Sequence, residues 1–150
     1  MLRISKLTDY ATVLLAKLAA KKGACISATQ LAVATNLEVP TVSKVLKTLA
    51  KSGVVNSIRG VNGGYRLAGS PESISVADIV RAMEGPIALT ECALERGLCS
   101  HEPTCHLRGN WQRIGQAVEL ALEALSLADL AAPESHRIAI RTVAGNHSVA

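Results

Sequence analysis

The stretch PTVSKVLKTLAKSGVVNSIRGVNGGYRL, residues 40–67, decides the fold of this chain. Its first part, residues 40–51, is apolar at steps of three and four, which predicts an amphipathic helix. Pro40 suits the first position of that helix, and Gly53 suits the position just past its end. The side chains expected to face inward are Val42, Val45, Leu46 and Leu49.

The second part of the stretch predicts a β-hairpin. We expect strands over residues 54–57 and 65–67, because three glycines and an asparagine in the loop between them, residues 59–64, permit a tight turn. Arg59 at the tip could enter a narrow minor groove of DNA. A plain hairpin without a ligand is the alternative, but the position directly after a helix with a basic outer face favours a wing.

Two further helices precede this stretch. Residues 8–20 carry an apolar stripe, and Ser27 with Gln30 forms a capping-box pattern that opens a short helix. Asn36 then turns the chain towards the helix at residues 40–51. Two short helices joined by a tight turn are a helix-turn-helix, whose second helix enters the major groove of DNA.

Charge is divided unequally along the chain. Residues 1–70 carry ten Lys or Arg against two acids, a balance of +8, whereas residues 71–150 carry six Arg against ten acids, a balance of −4. A basic half indicates a polyanion as partner, most simply nucleic acid, and a solvated lysine face is the alternative. The predicted DNA contacts are Thr41, Ser43, Lys44, Lys47, Arg59, Asn62 and Gly63.

Three of the four cysteines fall within CALERGLCSHEPTC, residues 92–105. Gly97 and Pro103 break any long helix there, so we expect the thiols on a loop. Gathered thiolates favour zinc, copper(I) or an iron–sulfur cluster, and three thiols leave one ligand to come from elsewhere. The spacing matches neither a zinc finger nor a bacterial ferredoxin, and ordinary structural cysteines are the alternative.

The remaining segments predict two more helices. Residues 75–84 are apolar on one side, and residues 108 to about 127 form a long amphipathic pattern. A small domain has little core left to cover such a helix, so pairing with a second copy is expected, and an ordinary core helix is the alternative. Residues 133–150 are small and polar and are expected to form a mobile tail. The apolar positions of the long helix are Trp111, Ile114 or Gly115, Val118, Leu122 and Leu125.

The hairpin and the segments that follow it resemble a known family. SGVVNSIRGVNGGYRLA, residues 52–68, resembles the wing of the Rrf-two family of winged-helix regulators, and SISVADIVRAMEG with the cysteines after it continues the resemblance. The family includes IscR-like, NsrR-like and RirA-like sensors of iron–sulfur status, nitric oxide and iron. The resemblance implies a mainly α fold. Residues 1–70 would form a winged helix-turn-helix with a small β-hairpin wing. Residues 71–132 would form a helix, a cluster-binding loop and a long C-terminal dimerisation helix.

The resemblance also implies a cofactor. Cys92, Cys99 and Cys105 match the thiolates that hold one iron–sulfur cluster per subunit, with two or four irons. The first gap is six residues, where five is common in the family, which concerns the geometry of the loop rather than the identity of the ligands.

Family members differ in the fourth ligand. IscR-like members place a histidine three residues past the last cysteine, where this chain has Arg108. NsrR-like members use an aspartate on the first helix of the partner subunit, and LTDYA places Asp9 at the matching position. Asp9 is therefore the preferred fourth ligand, and His106 and His101 are the alternatives.

The expected protein is a homodimeric transcription regulator, not an enzyme, that binds a near-palindromic operator on double-stranded DNA. LRISKLTDYATVLL and the fourth-helix segment look most like repressors of SUF iron–sulfur assembly genes. A repressor that responds to nitric oxide or iron is the alternative within the family. An electron-transfer protein and a DNA-binding protein with structural zinc are the alternatives outside it. The chain has no membrane span of about 20 apolar residues and no apolar signal region, so it is expected in the cytoplasm.

Overall fold

A computed structural model describes residues 3–21 and 23–133 of the 150-residue chain. The predicted tail therefore lies, apart from Pro133, outside the described residues. Besides its main helices and strands, the chain forms two single 3₁₀ turns, at Pro71–Ser73 and Glu102–Thr104. These elements are α1 (Lys6–Ala20), α2 (Ala28–Thr35), α3 (Val39–Lys51), β1 (Val55–Ile58), β2 (Gly64–Leu67), α4 (Val76–Glu84), α5 (Glu91–Leu94), α6 (Arg108–Glu123) and α7 (Leu127–Ala131).

The first three helices begin and end where local signals direct them. At the start of α1 the Ser5 hydroxyl accepts a hydrogen bond from the N–H of Thr8, and the predicted capping box opens α2. Asn36 adopts a φ of 54°, a left-handed conformation that asparagine tolerates, and turns the chain into α3. α3 begins at Val39, one residue earlier than predicted, with Glu38 at the N-cap.

The hairpin forms as predicted and is attached to the chain between α1 and α2. β1 and β2 pair antiparallel, with Ser57 opposite Tyr65. The N–H of Ile26 donates to the Tyr65 carbonyl at 3.0 Å, and the N–H of Tyr65 donates back at 2.8 Å. A Cβ at Gly64 would lie 2.5 Å from the Ile26 carbonyl oxygen, so only glycine permits this close approach.

One aliphatic core joins the elements on both sides of residue 70. It receives side chains from the first four helices, from β1 and from α7, and each buried leucine contributes about 1.5–3 kcal/mol relative to exposure. α1 packs against α2, α3, α4, α7 and β2, so it lies at the centre of the domain. The largest fully buried apolar side chains include Leu14, Leu15, Leu31, Leu46, Leu49, Ile79 and Leu127.

The long C-terminal helix is shorter than predicted. α6 ends at Glu123, and a separate capping box formed by Ser126 and Asp129 opens α7. The N–H of Leu127 donates to the carbonyl of Ile74 at 2.8 Å, and the Leu127 side chain is completely buried. The prediction was wrong here because the apolar period continues across the break, whereas the chain turns to bring Leu127 into the core.

A partly buried polar contact joins the start of α1 to the end of α4. Thr8 is completely buried, and its hydroxyl donates to the carboxylate of Glu84, which also accepts the N–H of Ser5 at 2.9 Å. The hydrogen bond from Thr8, followed by those from Ser5, holds the pKa of Glu84 below its usual value. No local sequence signal indicates this pairing, because the partners are 76 positions apart.

No helix in residues 3–21 and 23–133 is long and apolar enough to cross a bilayer.

Candidate functional site

The outer side of α3 carries the residues predicted to contact DNA. Four buried apolar side chains fix the rotation of the helix against the core. Lys44 and Lys47 are exposed, and Thr41 and Ser43 are half-buried beside them. The helix therefore presents two cations and two hydroxyls at a surface wide enough to meet a polyanion.

The wing places a third cation, Arg59, next to an apolar tip. Arg59 and Asn62 are exposed, as predicted for DNA contacts, and Val61 between them is fully exposed. Gly63 serves the hairpin itself, because its N–H donates to the Gly60 carbonyl at 2.9 Å and an added Cβ would collide with the backbone. A DNA contact from Gly63 stays a prediction, and it would involve only the backbone.

The cysteine segment is more structured than the loop we predicted. Cys92 lies in the helical turn α5 and is buried, with its sulfur 3.4 Å from the Thr90 hydroxyl. Cys99 and Cys105 are half-buried, and the sulfur of Cys105 accepts the N–H of Leu107 at 3.5 Å. All four cysteines of the chain are free thiols. Gly97 lies after α5, and Pro103 lies within the 3₁₀ turn Glu102–Thr104, so these residues permit short helical turns but no long helix.

Glu102 and Arg108 form a clamp around this segment. The Glu102 carboxylate accepts the N–H of Gly97 at 2.7 Å and pairs with the Arg108 guanidinium at 3.2 Å. The same guanidinium donates to the carbonyl of Cys92 at 2.8 Å. Arg108 therefore occupies the place of the IscR-type histidine and performs a structural task, which the sequence reasoning missed. An arginine six residues after a glutamate gives no recognisable signal for such a pair.

The predicted metal ligands are not assembled within one chain. In the described part of the chain no three His, Cys, Asp or Glu side chains lie where they could hold a metal ion together. Asp9 is exposed on the first turn of α1, and His101 and His106 are exposed near the thiols. Three soft thiols on one segment fit an iron–sulfur cluster by their chemistry, but the cysteine segment would have to rearrange to surround it.

α6 has an apolar strip that its own chain covers only in part. Gly115 is buried against the segment after α4, whereas Trp111 and Ile114 are 38% and 45% exposed. Contiguous exposed apolar surface of this kind is typical of contacts with another protein. The other large apolar side chains exposed in this region are Leu94, Leu98, Leu107 and Leu120.

A helix-turn-helix with a basic second helix, followed directly by a hairpin with an arginine at its tip, defines a winged-helix transcription regulator. Residues 4–133 match the model of the Rrf2 family, described as iron-dependent transcriptional regulator. The chain therefore belongs to the Rrf2 family, and the predicted family and fold are confirmed.

Several relatives and solved structures are similar over most of their length. The chain is 34% identical to the HTH-type transcriptional regulator NsrR of Halalkalibacterium halodurans, over 86% of this chain and 90% of the relative. It is 35% identical to the HTH-type transcriptional regulator CymR of Bacillus subtilis, over 87% of this chain and 90% of the relative.

The solved structure of CymR, the global cysteine regulator of B. subtilis, superposes with a TM-score of 0.67 at 34% identity, covering 87% of this chain and 97% of that one. The solved structure of T. potens IscR superposes with a TM-score of 0.60 at 28% identity, covering 86% of this chain and 85% of that one.

Glu102→Ala tests the clamp. Without the carboxylate the N–H of Gly97 loses its acceptor, so its hydrogen exchange, followed by NMR, should accelerate by about tenfold, the effect of one hydrogen bond to a charged group. Glu95→Ala, which removes an exposed carboxylate from the same segment, is the matched control and should leave that rate unchanged. Equal exchange in all three proteins would show that the clamp does not hold the segment.

Proposed function

We propose that this chain is a homodimeric repressor whose affinity for DNA depends on an iron–sulfur cluster held by Cys92, Cys99 and Cys105. One observation carries the proposal. A basic recognition helix and wing occur in the same domain as three free thiols on a fourteen-residue segment. The first feature binds nucleic acid, and the second supplies ligands that soft metals and iron–sulfur clusters prefer.

The DNA-binding part rests on exposed charge. Lys44 and Lys47 would neutralise phosphates beside the major groove, while Arg59 would enter the minor groove under the wing. Thr41 and Ser43, near the start of α3, would approach base edges. Binding should therefore weaken strongly with salt, because neutralised phosphates release condensed cations.

The metal-binding part rests on the donor set and on the resemblance to cluster-binding members of the family. When bound, a cluster supplies iron that responds to oxygen, nitric oxide or iron limitation. The three thiolates repel one another, and a positively charged cluster core offsets that repulsion and orders the segment. Asp9 of the second subunit is the preferred fourth ligand, and His106 and His101 are the alternatives.

The proposal of a homodimer rests on the apolar strip of α6, which its own chain covers only in part. Pairing of two copies through Trp111 and Ile114 would remove this apolar area from water. A two-fold dimer would place two recognition helices about 34 Å apart, one helical turn of DNA, and would therefore select a near-palindromic operator. The proposed targets are SUF iron–sulfur assembly genes, which the cluster-loaded form represses until the cluster is lost.

A cysteine-responsive or thiol-based regulator is the second candidate. It is favoured by the separation of the three thiols within the described chain and by the 35% identity to CymR, whose B. subtilis form is described as a global cysteine regulator. In that case Cys99 and Cys105, both half-buried, would be the reactive thiols. Such a protein would be colourless and would need no iron to bind DNA.

Arg59→Ala tests the wing. Loss of a minor-groove arginine should weaken operator binding by about tenfold, within the 1–3 kcal/mol typical of one good base contact, and leave the metal content intact. Fluorescence anisotropy with an operator selected from a random duplex pool measures this. Arg113→Ala, an exposed arginine on α6, is the matched control. Unchanged affinity in Arg59→Ala would refute the wing assignment.

Asp9→Ala tests the fourth ligand. The protein purified without oxygen should be brown, with broad absorption between roughly 300 and 450 nm, as expected for iron–sulfide charge transfer. Asp9→Ala should shorten the lifetime of that absorption in air while the dimer persists. An unchanged lifetime would transfer the role to His106 or His101, and colourless protein after iron–sulfide reconstitution would favour the thiol-based candidate.

A further inference from the structure

The recognition helix carries few of the side chains that read bases through paired hydrogen bonds. α3 contains no Arg, Asn, Gln or His between residues 39 and 51. Arginine or lysine reads guanine, and asparagine or glutamine reads adenine, through paired hydrogen bonds in the major groove. At the start of α2, the Oε1 atom of Gln30 is engaged in the helix cap, because it accepts the N–H of Ser27 at 3.0 Å. Side-chain hydrogen bonds from α3 to bases would therefore come only from its hydroxyls, such as those of Thr41 and Ser43, and from its lysines, so any further specificity of this helix must come from apolar contact.

The first turn of α3 is apolar and exposed. Val39 is 41% exposed, Pro40 is exposed, and neither belongs to the hydrophobic core. Pro40 has no backbone N–H, so it offers a base edge only apolar contact. In a helix-turn-helix, the N-terminal residues of the second helix are those that touch base edges. The residues in that position here carry methyl and methylene groups.

We propose that Val39 and Pro40 read the 5-methyl groups of thymine in the major groove. This inference rests on the proposed function of DNA binding and specifies how the operator is recognised. The thymine methyl is the one apolar group that the bases display in the major groove. Lys44 and Lys47 lie farther along the same helix, where contacts with phosphates would press the apolar first turn against the bases.

Removal of single methyl groups from the DNA tests this contact. In an operator selected from a random duplex pool, each thymine is replaced in turn by deoxyuridine, which keeps base pairing and lacks only the methyl. The wild-type protein should bind about fourfold more weakly at one or two positions in each half-site, the effect of one buried methyl group. All other positions should be insensitive.

A double-mutant cycle assigns the sensitive positions to the protein. In Val39→Ala, the loss of affinity that deoxyuridine causes at one of these positions should disappear, so the thymine and deoxyuridine operators should bind about equally well. Val13→Ala, which truncates a valine of 40% exposure on α1, is the matched control and should keep the full penalty. Val39→Thr keeps one methyl group and the shape of valine, so it should retain part of the affinity loss caused by deoxyuridine. This variant also controls for a folding defect in Val39→Ala.

The outcomes separate this inference from the proposed function. Equal affinity for all deoxyuridine operators, or a penalty that is the same in wild-type protein and Val39→Ala, would refute the methyl contact alone. If the wild-type protein shows no salt-dependent binding to DNA, and Lys44→Ala does not change its affinity, both the proposed function and the methyl contact are refuted.

Discussion

The packing of α1 in a single aliphatic core is the constraint on which the rest of the structure depends. Leu14, Leu15 and Leu18 on this helix are buried, and α1 contacts α2, α3, α4, α7 and β2. The helix-turn-helix is therefore held by the same side chains that hold α4, which precedes the cysteine segment, and α7, which follows α6. Because the interior is closely packed, movement of α4 or α7 relative to α1 requires the DNA-binding helices to adjust.

The contacts from the cysteine segment to α1 form a continuous physical connection. Arg108, which clamps the cysteine segment, is the first residue of α6, and Arg81 on α4 binds Glu119 of the same helix at 2.8 Å. Glu84 at the end of α4 then accepts the hydroxyl of buried Thr8 on α1. Exposed ion pairs contribute little individually, so the connection depends chiefly on the packed helices between them. These contacts connect the cysteine segment to α1, against which the recognition helix packs.

Local patterns predicted most of the fold, whereas long-range pairings were beyond them. The capping residues, the left-handed Asn36 and the glycines of the wing each act within a few residues, so the first four helices and the hairpin could be predicted. The break before Leu127 and the Thr8–Glu84 pair depend on partners far along the chain. For the site, the exposed cations followed from helical periodicity. The Glu102–Arg108 clamp and the separation of the thiols are features of tertiary structure.

In the proposed function, the state of the cysteine segment controls binding to DNA. The most direct measurement is the dissociation constant for the selected operator, determined without oxygen, before and after iron is removed by a chelator. We expect the dissociation constant to change by at least about tenfold, within the range typical of coupling between two sites, and to stay at the iron-free value in Cys92→Ser. Equal affinity in the iron-loaded and iron-free protein would contradict it.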